Sequence, residues 1–276
     1  SNNGPHVSRD GGRNWSKNLL SGERNPYSFG IAINPNNSQN ILLASTNNGV
    51  YRTEDGGKSW QQSNSGIIDK RLHSIKFALS DGNIAYVASH SGVYRSEDSG
   101  KTWQNRSNGL DEDFITPLAV HPTNPNIVLA GTASEVYTTH PAHFKPGRNA
   151  HEGLYRTEDG GKSWSRSDAG IHEPMIAQMA THPHVPFMIW ADGQSGRGAF
   201  VSENAGDTWE FSPSLASHYP MVFAHSQQNP SSLYLTSWQN DGELMVSEDW
   251  GSTWVDLTHR IEAGISDDTK RLGLWD

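Results

Sequence analysis

Apolar and polar residues alternate along this chain in short runs, each broken by clusters of Gly, Pro, Asn and Asp. Between Tyr27 and Asn64, Ser28 to Ile33 alternates around Ile31 and Ile33, Asn34-Pro35-Asn36-Asn37 marks a turn, and Ile41-Leu42-Leu43 is continuously apolar. Alternation with period two predicts a strand with one buried face, and an unbroken apolar triplet predicts a strand buried on both. A second turn, Asn47-Asn48-Gly49, leads into Val50-Tyr51-Arg52-Thr53, and after Asp55-Gly56-Gly57-Lys58 the chain resumes at Ser59-Trp60-Gln61. The unit is therefore four strands, A to D. The continuous apolar strand B recurs at Ile84–Val87, Ile127–Leu129, Phe187–Ile189 and Leu233–Leu235, and no amphipathic run long enough for a helix interrupts the series.

The turn between C and D is the most regular feature. Ser/Thr-x-Asp-x-Gly-x-Ser/Thr-Trp, with small departures, spans Ser8–Trp15, Thr53–Trp60, Ser96–Trp103, Thr157–Trp164, Ser202–Trp209 and Ser247–Trp254. Its tryptophans stand 45, 43, 61, 45 and 45 residues apart, a period that marks a solenoid, a propeller or an array. Four antiparallel strands per unit select a β-propeller of about six blades, all-β and a single domain over residues 1–276. The series opens at a strand C, since Gly4–Asp10 aligns with Gly49–Asp55, and beyond Trp254 only Leu272–Trp275 offers a further strand. The terminal blade is thus expected to be incomplete or split between the chain ends.

Gly in the turn supplies positive backbone angles, and the Asp carboxylate accepts the turn N–H groups. Asp55, Asp98, Asp159 and Asp249 are accordingly read as structural, and Asn204 replaces the acid in the fifth copy, which a turn tolerates and an acid catalyst would not.

Composition narrows the partners. A formal charge of -9 and a pI near 5.8, with no basic run, argue against a nucleic-acid surface. No apolar stretch is long enough to span a membrane as a helix. Cysteine is absent, which removes disulfides and thiolate chemistry.

The phrase Thr53-Glu54-Asp55-Gly56-Gly57-Lys58-Ser59-Trp60 resembles the Asp-box, or bacterial neuraminidase repeat. That β-propeller superfamily includes sialidases, xyloglucan-active glycoside hydrolases, sortilin-type receptors and photosystem assembly factors. The resemblance covers nearly the whole chain and implies a fold, while activity has to be argued from a site. It further implies that the boxes face away from the ligand, which meets the D–A and B–C connections instead. Sialidase chemistry fits poorly, because no Arg-Ile-Pro occurs and Arg52, Arg95 and Arg156 repeat beside the boxes; Arg24, Arg71 and Arg197 are the alternative trio on the other face. His121-Pro122-Thr123-Asn124-Pro125-Asn126-Ile127-Val128 is similar to wording in xyloglucan-type hydrolases, which pair two propellers where one is visible here.

On the implied ligand face, a glycoside hydrolase would draw its two carboxyl groups from Asp111, Asp113, Asp192 and Asp241, the last two each preceding Gly in matching B–C loops. Ligand contacts are expected from His90, Phe144, Arg148, Glu152, Arg197, Tyr219 and Trp238. The 61-residue interval carries an insertion within Ser134–Glu152, long enough to act as a binding lid. Of 13 histidines, His140, His143 and His151 in that insertion are the first choice for a divalent metal; no other cofactor is expected. His121, His182 and His225 end strand A, as Asn34 does, and read as turn residues.

The function expected is that of an extracytoplasmic propeller, periplasmic or secreted, which binds a protein or glycan partner through its D–A and B–C loop face. A glycoside hydrolase using paired loop carboxylates is the alternative, so catalysis stays open here.

Overall fold

The computed structural model describes residues 6–10, 13–17, 28–110, 114–132, 153–171, 176–182, 189–193, 199–215, 220–225, 229, 231–237 and 243–258. They form two compact units, Ser1–Arg166 and Ser167–Asp276.

The first unit opens with a two-stranded antiparallel sheet, β1 (His6–Val7) and β2 (Ser16–Lys17). Three four-stranded antiparallel sheets follow. They are β3 (Ser28–Asn34), β4 (Asn37–Ser45), β5 (Gly49–Thr53) and β6 (Gln61–Gln62); β7 (Leu72–Ala78), β8 (Asp81–Ser89), β9 (Gly92–Ser96) and β10 (Gln104–Asn105); and β11 (Ile115–Val120), β12 (Val128–Thr132), β13 (Leu154–Thr157) and β14 (Ser165–Arg166). The second unit holds two more, β15 (Ile176–Thr181), β16 (Ile189–Gly193), β17 (Ala199–Ser202) and β18 (Glu210–Phe211), then β19 (Pro220–His225), β20 (Leu233–Ser237), β21 (Glu243–Ser247) and β22 (Val255–Asp256). One short 3-10 turn, Pro213–Leu215, accompanies them. Every four-stranded sheet is a meander in chain order.

The turn chemistry of each C–D hairpin is local. Asp55 Oδ1 accepts the N–H groups of Lys58 and Ser59 at 2.8 and 2.9 Å, while the Ser59 hydroxyl donates to Oδ2 at 2.6 Å. Thr53 Oγ1 takes the N–H of Gly57 at 3.0 Å and donates to Asp55 Oδ1 at 2.7 Å. These bonds hold the Asp55 carboxyl well below the usual carboxylate range, and the Ser163 hydroxyl, first among similar bonds, lowers Asp159 to about 2. Asn204 keeps the turn by accepting the Thr208 N–H at 2.9 Å and reversing one bond, its amide donating to Thr208 Oγ1 at 2.8 Å.

The tryptophans that close these turns join successive segments. Trp103 Nε1 donates to Ser63 O at 2.9 Å, Trp164 Nε1 to Arg106 O at 2.6 Å, and Trp209 Nε1 to Ser167 O at 2.8 Å. Arg52 reaches from its own sheet to the next box, donating from Nε to Ser99 O at 3.0 Å and pairing with Glu54 at 2.6 Å. In the first unit β3 packs against β7 and β7 against β11, and buried clusters fill the two gaps, Leu42, Ile75, Phe77 and Val87 in one, Tyr86, Leu118, Val120 and Trp164 in the other. Burying side chains of this size contributes about 1.5–3 kcal/mol each.

Three readings change. Ile31 and Ile33 share register with Ile75 and Phe77 yet are 59% and 57% exposed, whereas Ile75 and Phe77 are buried in the cluster between β3 and β7. Tyr234, inside an apolar triplet, is 37% exposed, whereas Tyr86 at the matching position of β8 lies under the following sheet with its hydroxyl on Pro125 O. Asp192, read as a loop residue, has its backbone in β16, paired with Gln178 and Ala199.

Candidate functional site

The connection from β6 to β7 is anchored before it reaches the site. Asn64 Oδ1 accepts the Val50 N–H at 2.7 Å and its amide donates to Asn48 O at 2.9 Å, which ties the connection to the start of strand C. Gly66 follows at φ 90°, with the Trp103 carbonyl oxygen only 1.9 Å from where a Cβ would stand, so the position admits glycine alone. Ile67 is buried, and Ile68 beside it is 86% exposed.

Asp69 and Arg71 then form a two-pronged ion pair, Nε to Oδ1 at 3.0 Å and Nη2 to Oδ2 at 2.8 Å, with the Arg71 N–H also on Oδ1 at 3.0 Å. Burial opposes ionisation of Asp69, but the hydrogen bonds and charge of Arg71 outweigh it and leave the carboxyl below its ordinary value. The Asp69 N–H meets the Tyr94 hydroxyl at 3.3 Å. Backbone bonds bind the connection to its neighbours, Gly49 N–H to Lys70 O at 3.0 Å and His90 N–H to Arg71 O at 3.1 Å, and Phe114 N–H in turn bonds His90 O at 2.5 Å.

A bulge then re-aims one side chain. Leu72 pairs with Ser89 and Ser74 with Ala88, so His73 is the extra residue between them. Bulges re-aim side chains and are common beside functional sites. The His73 ring stacks on His90 at 4.7 Å between centroids, and Phe114 closes the trio at 4.6 Å from His73 and 4.3 Å from His90. Phe114 is 3% exposed and sits at φ 95°, a strained conformation for a bulky residue. Burial, reinforced by His90 and Arg71 against the pull of Asp69, lowers His73 to about 4, so its imidazole is neutral at pH 7. A comparable register shift interrupts the first strand of all five four-stranded sheets near its start.

Of the residues expected from sequence, His90 and Arg71 lie in this site, Asp192 is placed by its backbone alone, and Arg24 lies outside the described residues. Asp111, Asp113, Asp241, Phe144, Arg148, Glu152, Arg197, Tyr219, Trp238, His140, His143 and His151 lie outside the described residues. Among the described residues no group of three or more His, Asp or Glu side chains is placed to hold a metal ion. The connection Asp69–His73 and the His73 ring were expected on the ligand face, but neither Asp69, Ile68 nor His73 was among the candidate contacts chosen from sequence; the Asp-x-Arg spacing at the end of a connection was a further available signal.

No family model and no curated protein matches the chain. Solved structures do. One is YCF48 bound to D1 peptide, with a TM-score of 0.64 and 19% identity, over 91% of this chain and 73% of that one. Another is an ancestral GH74 enzyme, with a TM-score of 0.65 and 18% identity, over 88% of this chain and 32% of that one. A third is the GH74 xyloglucanase from Xanthomonas campestris, with a TM-score of 0.60 and 16% identity, over 91% and 47% respectively. This chain therefore spans less than half the length of those two enzymes. At such identities the likeness speaks for the fold alone, that of β-propeller proteins.

Proposed function

We propose that this chain is an extracytoplasmic Asp-box β-propeller of about six blades whose D–A and B–C connections bind a protein partner. The observation that carries the reading is the braced surface at 68–73 and 90. Two backbone bonds, to Lys70 O and Arg71 O, and a two-pronged ion pair fix the connection, and Ile68 stands on it 86% exposed, three residues before Arg71. A rigid connection that offers an apolar side chain next to a charged one loses little conformational entropy on binding. The likeness to YCF48 bound to D1 peptide adds support through fold analogy.

A photo-crosslinking residue placed at Ile68, with a second at Lys58 on the C–D hairpin as control, tests this in the native extracytoplasmic milieu. A discrete adduct from position 68 and none from 58 is expected. Adducts of equal yield from both, or from 58 alone, overturn the reading.

The second reading, a glycoside hydrolase, is favoured by the GH74 neighbours. Its carboxyl groups would come from Asp111, Asp113, Asp192 and Asp241, with glycan contacts at the residues named above. Turnover of a glycan that Asp192→Asn or Asp241→Asn abolishes would establish it, and no turnover on a broad panel would dismiss it. A metal at His140, His143 and His151 ranks below both, and elemental analysis of the purified protein decides it.

A further inference from the structure

Register alignment of the five four-stranded sheets isolates one position on the first strand. The residue paired with Leu42, Leu129, Trp190 and Tyr234 is Ala32, Ala119, Ala180 and Ala224, and the residue paired with Tyr86 is Lys76. Four sheets thus place a methyl group where the second places a long cation.

Lys76 lies in the middle of β7, and β7 is flanked by β3 on one side and β11 on the other. The side chain is exposed to solvent, while Ala32 and Ala119 at the matching points of the flanking strands are buried. Among the described residues no carboxylate pairs with it; the ion pairs of this unit engage Arg52, Arg71, Arg95 and Arg156. A reachable ammonium that the surrounding strands partly strip of water, with no counter-charge supplied by those residues, gains more from an anion than a fully hydrated lysine does. Although the residue reaches solvent, desolvation by the protein packed around the ammonium lowers its pKa.

We propose that Lys76 anchors an anion site on the first strands of the first unit, where its ammonium receives the carboxylate or phosphate oxygens of a ligand. The proposal does not rest on the 68–73 surface and stands whether or not that surface binds a protein.

The test uses the whole chain with its lysines ¹³C-dimethylated and followed by NMR. Sodium acetate, inorganic phosphate and an acetylated dipeptide with a free C-terminal carboxylate are added in separate titrations. The Lys76 resonance is expected to shift saturably with at least one of them and its titration to move upward in pH, while Lys58 and Lys101 on the hairpins do not respond. The three arms tell a small carboxylate, a phosphate and a peptide terminus apart. Lys76→Ala, which restores the alanine of the other four sheets, is expected to fold and to weaken binding of the responding anion about tenfold or more. A Lys76 resonance that titrates at the ordinary lysine value and moves no more than Lys58 in all three titrations overturns the proposal, as does a Lys76→Ala chain that binds the anion unchanged.

Discussion

The His73, His90 and Phe114 trio makes the stability of the first unit sensitive to mild acid. His73 titrates at about 4 in the folded chain and near its ordinary 6.5 once unfolded. Above the higher value both states carry a neutral ring and nothing is lost. As pH falls from about 6.5 to about 4, the unfolded chain takes up a proton that the folded chain refuses, and stability declines by at most about 1.4 kcal/mol per pH unit. The full span would remove about 3 kcal/mol; partial solvent access at a half-buried ring reduces this to about 1–2 kcal/mol. Below about 4 this contribution levels off. His73→Phe keeps a ring against His90 and Phe114 but has no proton to exchange. The measurement is the difference in urea stability between wild type and His73→Phe at pH 7, 6, 5 and 4.5, which cancels groups common to both. The variant should gain about 1–2 kcal/mol relative to wild type across that range. A difference that stays flat with pH, or a His73 ring resonance titrating near 6.5, would refute the reasoning.

Other substitutions probe other joints. Gly66→Ala should lose more than about 2 kcal/mol, since the new Cβ meets the Trp103 carbonyl at 1.9 Å and the backbone stands at φ 90°; a thermal midpoint within a degree of wild type would contradict this. Trp250 occupies a left-handed position, φ 58°, that glycine holds at Gly56 and Gly160, and its ring lies 3.5 Å from that of buried His182. Trp250→Gly relieves about 1–2 kcal/mol of backbone strain but gives up a larger packing contribution, so thermal denaturation should show a net loss of about 1–2 kcal/mol. Asp159→Ala strands the Ser163 N–H and hydroxyl and should cost about 1–2 kcal/mol by denaturant titration, whereas Asn204→Asp should be neutral or slightly stabilising.

Much of the fold could be read from the sequence because its determinants are local. Asp55, Gly56, Gly57 and Ser59 complete their turn with bonds spanning four residues or fewer, so a phrase of eight residues carries it wherever it occurs. The apolar triplets locate the B strands for the same reason. What sequence could not supply depends on neighbours far along the chain. Ile31 and Ile75 look alike in sequence, yet one is exposed and the other buried, because burial rests on which sheet lies alongside. The bulge at His73 is a matter of register with β8, and the positive φ of Phe114 accompanies a bond from its N–H to His90 O, 24 residues back along the chain. The likeness of loop positions put His90 in the connection after β8, where its ring packs against His73 and Phe114. Asp69 escaped notice because a lone Asp-x-Arg in a polar connection looks like any solvated pair until the two-pronged geometry is seen.

Hydrogen exchange of the whole chain, with and without the partner recovered by crosslinking, tests the binding face most directly. The account predicts added protection at residues 67–73 and 89–92, with the hairpins at 53–60 and 96–103 unchanged. Protection confined to those hairpins would contradict it.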